Sequence, residues 1–142
     1  AGHEITRRDV LTELPFGNAT MLIELKGDDL KSVLEHSVGR VAELQGRFLS
    51  VSGMTFAYDP KAEPGKRVTQ ATVAGKPLDP ARTYKVAAND YIVGGGDGFA
   101  DLKKAKVLID ASGAKLMASQ VIDYIAAKGN VSPVVEGRIV AK

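Results

Sequence analysis

The tightest constraint on this chain is the run Gly94-Gly95-Gly96-Asp97-Gly98. Glycines set side by side impose no side-chain sterics, so the backbone there can turn sharply and come close to a ligand. The run follows a strand-like stretch, Ala88-Asn89-Asp90-Tyr91-Ile92-Val93, and ends on Phe99. It presents one carboxylate, Asp97, on a loop flanked by two aromatic residues, Tyr91 and Phe99. Flat faces with an anionic acceptor between them suit a flat ring that carries hydroxyls. A tight turn in which the glycines serve geometry alone stays open on these residues. A phosphate cradle fits poorly: Gly-Lys-Ser/Thr is absent, the glycines lack dinucleotide spacing, and Asp97 repels a phosphate.

A length of 142 residues is that of one domain, able to bury a core without disulfides or metals. With 44% hydrophobic and 25% charged residues, neither disorder nor a membrane span is indicated. The formal charge of +2 is mild and spread along the chain, which argues against a nucleic acid polymer or an anionic membrane as partner. Without cysteine there are no disulfides or thiolate ligands, and the compartment stays open. A start at Ala1 rather than Met points to a fragment or a processed product, so the lack of a legible leader carries no weight.

Along the chain, Thr6-Arg7-Arg8-Asp9 resembles a capping box and predicts a helix over about 7–14, ended by Pro15. Phe16-Gly17-Asn18 is a turn into a strand over 19–26, in which Met21, Ile23 and Leu25 alternate. Gly27-Asp28-Asp29 opens the clearest helix, carried by Leu30, Val33, Leu34, Val38 and Val41. Asp28 and Asp29 suit its N-terminal dipole, while His36 and Arg40 read as structural or solvated. A strand over 48–59, a hairpin partner over 67–74 and a strand over 84–88 lead to the glycine bend. Beyond it come a polar-faced segment, a strand over 106–109, a helix over about 113–128 with Gly129 as C-cap, and a last strand over 137–140. Hairpins mixed with about three separated helices predict a single layered α+β domain.

Catalytic chemistry is not nominated locally. His3 and His36 are the only histidines, too few for a dinuclear metal site of the usual kind, and neither lies in a nucleophile setting. The residues alone describe a binding domain whose active chemistry lies elsewhere.

Pro15-Phe16-Gly17-Asn18, Leu25-Lys26-Gly27, Gly46-Arg47-Phe48-Leu49 and Asn89-Asp90-Tyr91 to Gly95-Gly96-Asp97-Gly98-Phe99 occur in this order from about Glu4 to the closing Val135-Glu136-Gly137-Arg138-Ile139. Together they resemble the C-terminal domain of the 5′-nucleotidase family, which includes ecto-nucleotidases and bacterial UDP-sugar hydrolases. The resemblance implies a nucleoside-binding domain over residues 1–142, working with an N-terminal metallophosphoesterase domain of the same protein that holds two divalent metals. It implies that Phe16 and Tyr91 sandwich the base, that Asn18 contacts the base edge and that Asp97 accepts from ribose hydroxyls. Tyr91 departs from the phenylalanine frequent there by adding a hydroxyl. The family's Asn-Gly-Gly-Ile-Arg segment, whose arginine holds phosphate, is missing, so this chain alone is expected to hydrolyse nothing. No cofactor is expected within the chain. A periplasmic or extracellular location follows from the resemblance.

The related thiosulfohydrolases as a rule lack the Phe and Gly-Gly-Asp-Gly pair, so nucleotides are favoured. The competing reading is a non-catalytic ligand-binding or interaction module that keeps this fold.

Overall fold

The computed structural model describes residues 2–43 and 45–142. Its elements are α1 (Arg7–Glu13), β1 (Thr20–Lys26), α2 (Gly27–Val38), β2 (Met54–Tyr58), β3 (Val68–Val73), β4 (Lys76–Pro77), β5 (Thr83–Asn89), α3 (Asp90–Val93), β6 (Lys106–Ile109), α4 (Met117–Lys128) and β7 (Ile139–Ala141). Short 3-10 turns cover Val41–Glu43, Gly96–Gly98 and Ala100–Lys104. The α+β class expected from the sequence is the one observed, with the single turn of α3 added to three longer helices.

Two sheets flank α2. The first is antiparallel, in the order β5-β1-β6, and pairs Ile23 with Val86 and Thr20 with Asn89. The second runs β4-β3-β2-β7, antiparallel except where β7 lies parallel to β2. Alternation in β1 sends Met21, Ile23 and Leu25 inward, where they meet Leu30 and Val33 of α2. Leu34 and Val38, displaced around the helix, pack instead with Phe56, Tyr58 and Val68 of the second sheet. Each such side chain, fully buried, stabilises the fold by about 1.5–3 kcal/mol relative to exposure.

Gly27 explains how α2 seats itself. Its backbone N–H donates to the Arg82 carbonyl at 2.9 Å and that of Asp28 to the Pro80 carbonyl at 3.1 Å, so the loop after β4 satisfies donors left over at the helix start. A Cβ at position 27 would stand 2.0 Å from the Asp79 carbonyl oxygen. Only glycine allows that approach.

Several boundaries differ from those the sequence predicts. The strand over 48–59 is confined to Met54–Tyr58, because the preceding residues form a loop tied to α2 through a Leu49 N–H to Ser37 Oγ bond of 2.8 Å. The helix over 113–128 starts at Met117, since Leu116 is extended and bridges Ala19 while the Thr20 N–H takes the Lys115 carbonyl. Val41 lies beyond α2, in its own 3-10 turn. Tyr91 is not on a strand: Asn89 Oδ1 accepts the Ile92 N–H at 2.9 Å and caps the turn α3 directly after β5. Gly129, at φ 71°, ends α4 with its N–H on the Ile125 carbonyl.

The capping box of α1 is present. The Thr6 N–H donates to Asp9 Oδ2 at 2.7 Å, and the Asp9 N–H returns to Thr6 Oγ1 at 3.3 Å. The Thr6 backbone donor, then its hydroxyl, hold the Asp9 carboxyl below the usual carboxylate range. The Ser112 hydroxyl, then the backbone donors of Gly113 and Ser112, do the same for Asp110.

Two outcomes follow from these contacts. Gly27→Ala should destabilise by about 3 kcal/mol in a denaturant titration, whereas Gly17→Ala, with nothing within 4 Å of an added Cβ, should stay within about 0.5 kcal/mol. Both depressed carboxyls stabilise their turns fully above the ordinary aspartate pKa of about 3.9, and this contribution is lost as pH falls through their lower folded values. Protection of the Asp9, Ser112 and Gly113 amides from exchange should therefore fall in acid before that of Ile23, and Asp9→Asn should remove this acid-dependent loss at α1.

Candidate functional site

The four residues singled out by the sequence, Phe16, Asn18, Tyr91 and Asp97, gather where β1 begins and β5 ends. The link between them is Asp90. Its Oδ1 accepts the Asn18 side-chain amide at 2.8 Å and the Ala19 N–H at 3.3 Å, while its own N–H donates to the Ala19 carbonyl at 3.0 Å. The Asn18 carbonyl also accepts the Met117 N–H at 2.8 Å. Asn18 is thus fixed at the junction of β1, β5 and α4. One hydrogen of its amide nitrogen is committed to Asp90, and its side-chain oxygen and second N–H remain to meet a ligand.

Phe16 projects from the turn two residues before this junction and is 74% exposed. Tyr91 follows Asp90 on α3 and is 53% exposed. Its ring lies over the glycine run, where a Cβ on Gly96 would come within 2.5 Å of it. Its hydroxyl donates to Asp97 Oδ1 at 3.0 Å. Asp97 Oδ2 faces Gly46, and a Cβ there would be 3.9 Å away. The carboxylate is consequently oriented by one contact and open on its other oxygen.

Phe99 does not share this surface. It is 2% exposed and belongs to the core below β1, so the flat face expected of it at the bend is used for packing. The bend itself is two successive 3-10 turns, with Gly95 at φ 90°, Asp97 at φ 52° and Gly98 at φ 84°. Glycine relieves the left-handed backbone at two of these positions, and Asp97 is among the residue types that tolerate it.

Phe16 and Tyr91 each present an exposed ring, the first lying two residues before Asn18 and the second bonded to Asp97. Among the described residues no three His, Cys, Asp or Glu side chains stand together to hold a metal ion. A separate groove of about 870 Å³ lies along α2, lined by Lys31, Glu35, His36, Arg40 and Arg47 among others.

Sequence reasoning left Glu35 and Ser37 of α2 without roles and read His36, which lies between them, as structural or solvated. Glu35 is buried and accepts the Arg67 and Val68 N–H groups at 2.9 and 2.8 Å. Ser37 is buried and accepts the Leu49 N–H. His36 Nε2 is 2.8 Å from the Asp97 carbonyl oxygen. The available signal was a run of polar residues breaking the apolar face of a helix.

Known proteins share this sequence and fold. The family model described as "5′-nucleotidase, C-terminal domain" matches residues 1–104, which contain all four site residues. The chain is 38% identical over 96% of its length to a snake venom 5′-nucleotidase of Gloydius brevicauda, and 37% identical over 95% of its length to the 5′-nucleotidase of Rattus norvegicus. It spans 24% of each of these relatives, about a quarter of their length. Among solved structures it is similar to the 5′-nucleotidase precursor of Thermus thermophilus, with 37% identity, a TM-score of 0.91, and coverage of 97% of this chain and 28% of that one. The chain belongs to the 5′-nucleotidase family of hydrolases, as its C-terminal domain.

Proposed function

We propose that this domain reads the nucleoside of a nucleotide, so that a metallophosphoesterase domain N-terminal to it in the same protein can hydrolyse the phosphoester with two divalent metals. Phe16 and Tyr91 stack on the base, the Asn18 side-chain oxygen accepts from its edge, and Asp97 accepts from the ribose hydroxyls. The observation that carries this reading is the pair of hydrogen bonds that links the site together: Asn18 to Asp90 beside Tyr91, and Tyr91 to Asp97. They tie the Asn18 amide, the Tyr91 ring and the Asp97 carboxylate to one end of the first sheet, two residues from the exposed Phe16.

The division of labour follows from chemistry. Stacking discriminates little between bases, because every base has a π-face, and is worth about 1–3 kcal/mol per base in nucleic-acid systems. A lone carboxylate beside it favours a neutral hydroxylated sugar and disfavours phosphate, which therefore points away toward the domain that cleaves it. The chain by itself binds and does not hydrolyse. The names of its relatives, which include venom proteins, support a location of the whole enzyme outside the cell or in the periplasm. No helix among the described residues is long and apolar enough to cross a membrane.

The test is a titration of the chain with adenosine, uridine and inorganic phosphate, following the amide signals of Phe16, Asn18, Tyr91 and Asp97. Both nucleosides should shift these signals and phosphate should not. Phe16→Ala and Tyr91→Ala should each weaken adenosine about tenfold or more, and unchanged affinity in both variants would sink the assignment. Gly96→Ala should displace the Tyr91 ring and weaken adenosine while leaving the thermal midpoint near that of the unaltered chain, because the ring it moves is at the surface.

A further inference from the structure

Asp97 is held from below as well as from the side. The Asp97 carbonyl oxygen can only accept, so the 2.8 Å contact requires that His36 Nε2 carry its proton and donate. The same imidazole meets the Phe99 ring edge to face, with centroids 4.7 Å apart and planes at 69°. A Cβ on Gly98 would come within 3.0 Å of His36 Cε1. One ring therefore contacts Asp97, Gly98 and Phe99 in succession. This hold adds to the bend's own hydrogen bonds, from the Gly94 and Gly95 N–H groups to the Asp90 and Ile92 carbonyls at 2.8 and 2.9 Å and from the Gly98 and Phe99 N–H groups to the Gly95 and Gly96 carbonyls, both at 3.2 Å. Asp97 at φ 52° sits in the left-handed region, which aspartate tolerates better than most residues bearing a Cβ, and the His36 contact is made on the carbonyl of that residue.

The neighbouring residue acts on the facing wall. Ser37 Oγ holds the Leu49 N–H at 2.8 Å, and the turn leading to Leu49 contains Gly46, which stands beside Asp97 Oδ2. Two consecutive α2 residues thus fix the two backbones on either side of the free carboxylate oxygen. Glu35, bonded to the start of β3, keeps that end of the helix from shifting.

We infer that His36 is a positioning residue for sugar recognition: it holds the Asp97 backbone left-handed so that Oδ1 meets the Tyr91 hydroxyl and Oδ2 is presented to the ribose diol. This rests on the nucleoside reading above. His36 touches no ligand, and its effect runs through the Asp97 carbonyl. A contribution of this kind falls first on the sugar hydroxyls and reaches the base only through the Tyr91 hydroxyl bonded to Asp97 Oδ1.

Two variants separate the donor from the ring. His36→Phe keeps an aromatic edge against Phe99 and cannot donate; His36→Gln gives up the ring and retains a side-chain N–H. Calorimetric titrations with adenosine and with 2′,3′-dideoxyadenosine, which lacks the diol, provide the readout, alongside amide exchange at Gly98 and Phe99. His36→Phe should weaken adenosine about tenfold, weaken dideoxyadenosine clearly less and speed exchange at both amides, and His36→Gln should recover most of the adenosine affinity. Adenosine affinity in His36→Phe equal to that of the unaltered chain overturns the inference. So does an equal loss for both nucleosides, which would mark a general loosening of the surface. An unaltered chain that binds neither nucleoside fails at the earlier step, since the nucleoside reading itself is then wrong.

Discussion

Everything in this fold depends on α2 being packed on two sides. Leu30 and Val33 face β1 and its partners, while Leu34 and Val38 face β2 and β3, so the helix forms the partition between two separate apolar clusters. A surface helix needs one apolar stripe; a helix buried from two directions has less room for polar side chains that stay wet. The close seat of Gly27 on the Asp79 carbonyl fixes where the partition starts and so sets the height of every residue along it.

That geometry makes the polar residues on α2 structural instruments. A buried carboxylate or hydroxyl without a partner is costly, and here each partner is a backbone N–H of a loop or of the first residue of a strand. Glu35 serves Arg67 and Val68, and Ser37 serves Leu49. The same helix thus orders the approach to β3, the loop before β2 and, through His36, the glycine bend. Precision at Asp97 is inherited from the core by way of these few bonds, although Asp97 itself lies at the surface.

The other half of the candidate site is ordered differently. Asp90 accepts from Asn18 and Ala19, and because Asn18 also accepts from Met117, the end of β5, the start of β1 and the start of α4 meet at one point. Phe16 and Tyr91 are displayed from the two chains that cross there. Their exposure, beside the Asn18 amide and the Asp97 carboxylate, is what the proposed reading of a nucleoside rests on.

The sequence by itself determined the α+β class, the apolar face of α2, the capping box of α1 and the alternation of β1, because each depends on spacing within a few residues. It also marked Phe16, Asn18, Tyr91 and Asp97 through the order of their motifs. Tertiary structure alone decided which residues at the bend face outward: Phe99 and Tyr91 look alike in sequence, yet core packing claims one and leaves the other exposed. It likewise decided that residues 48–53 form a loop and that α4 starts at Met117, since a Ser37 hydroxyl and an Ala19 backbone from distant parts of the chain compete for those groups. The role of His36 was hidden for the same reason. Its partner lies 61 residues away, and a hydrogen bond across that separation leaves no local period to read.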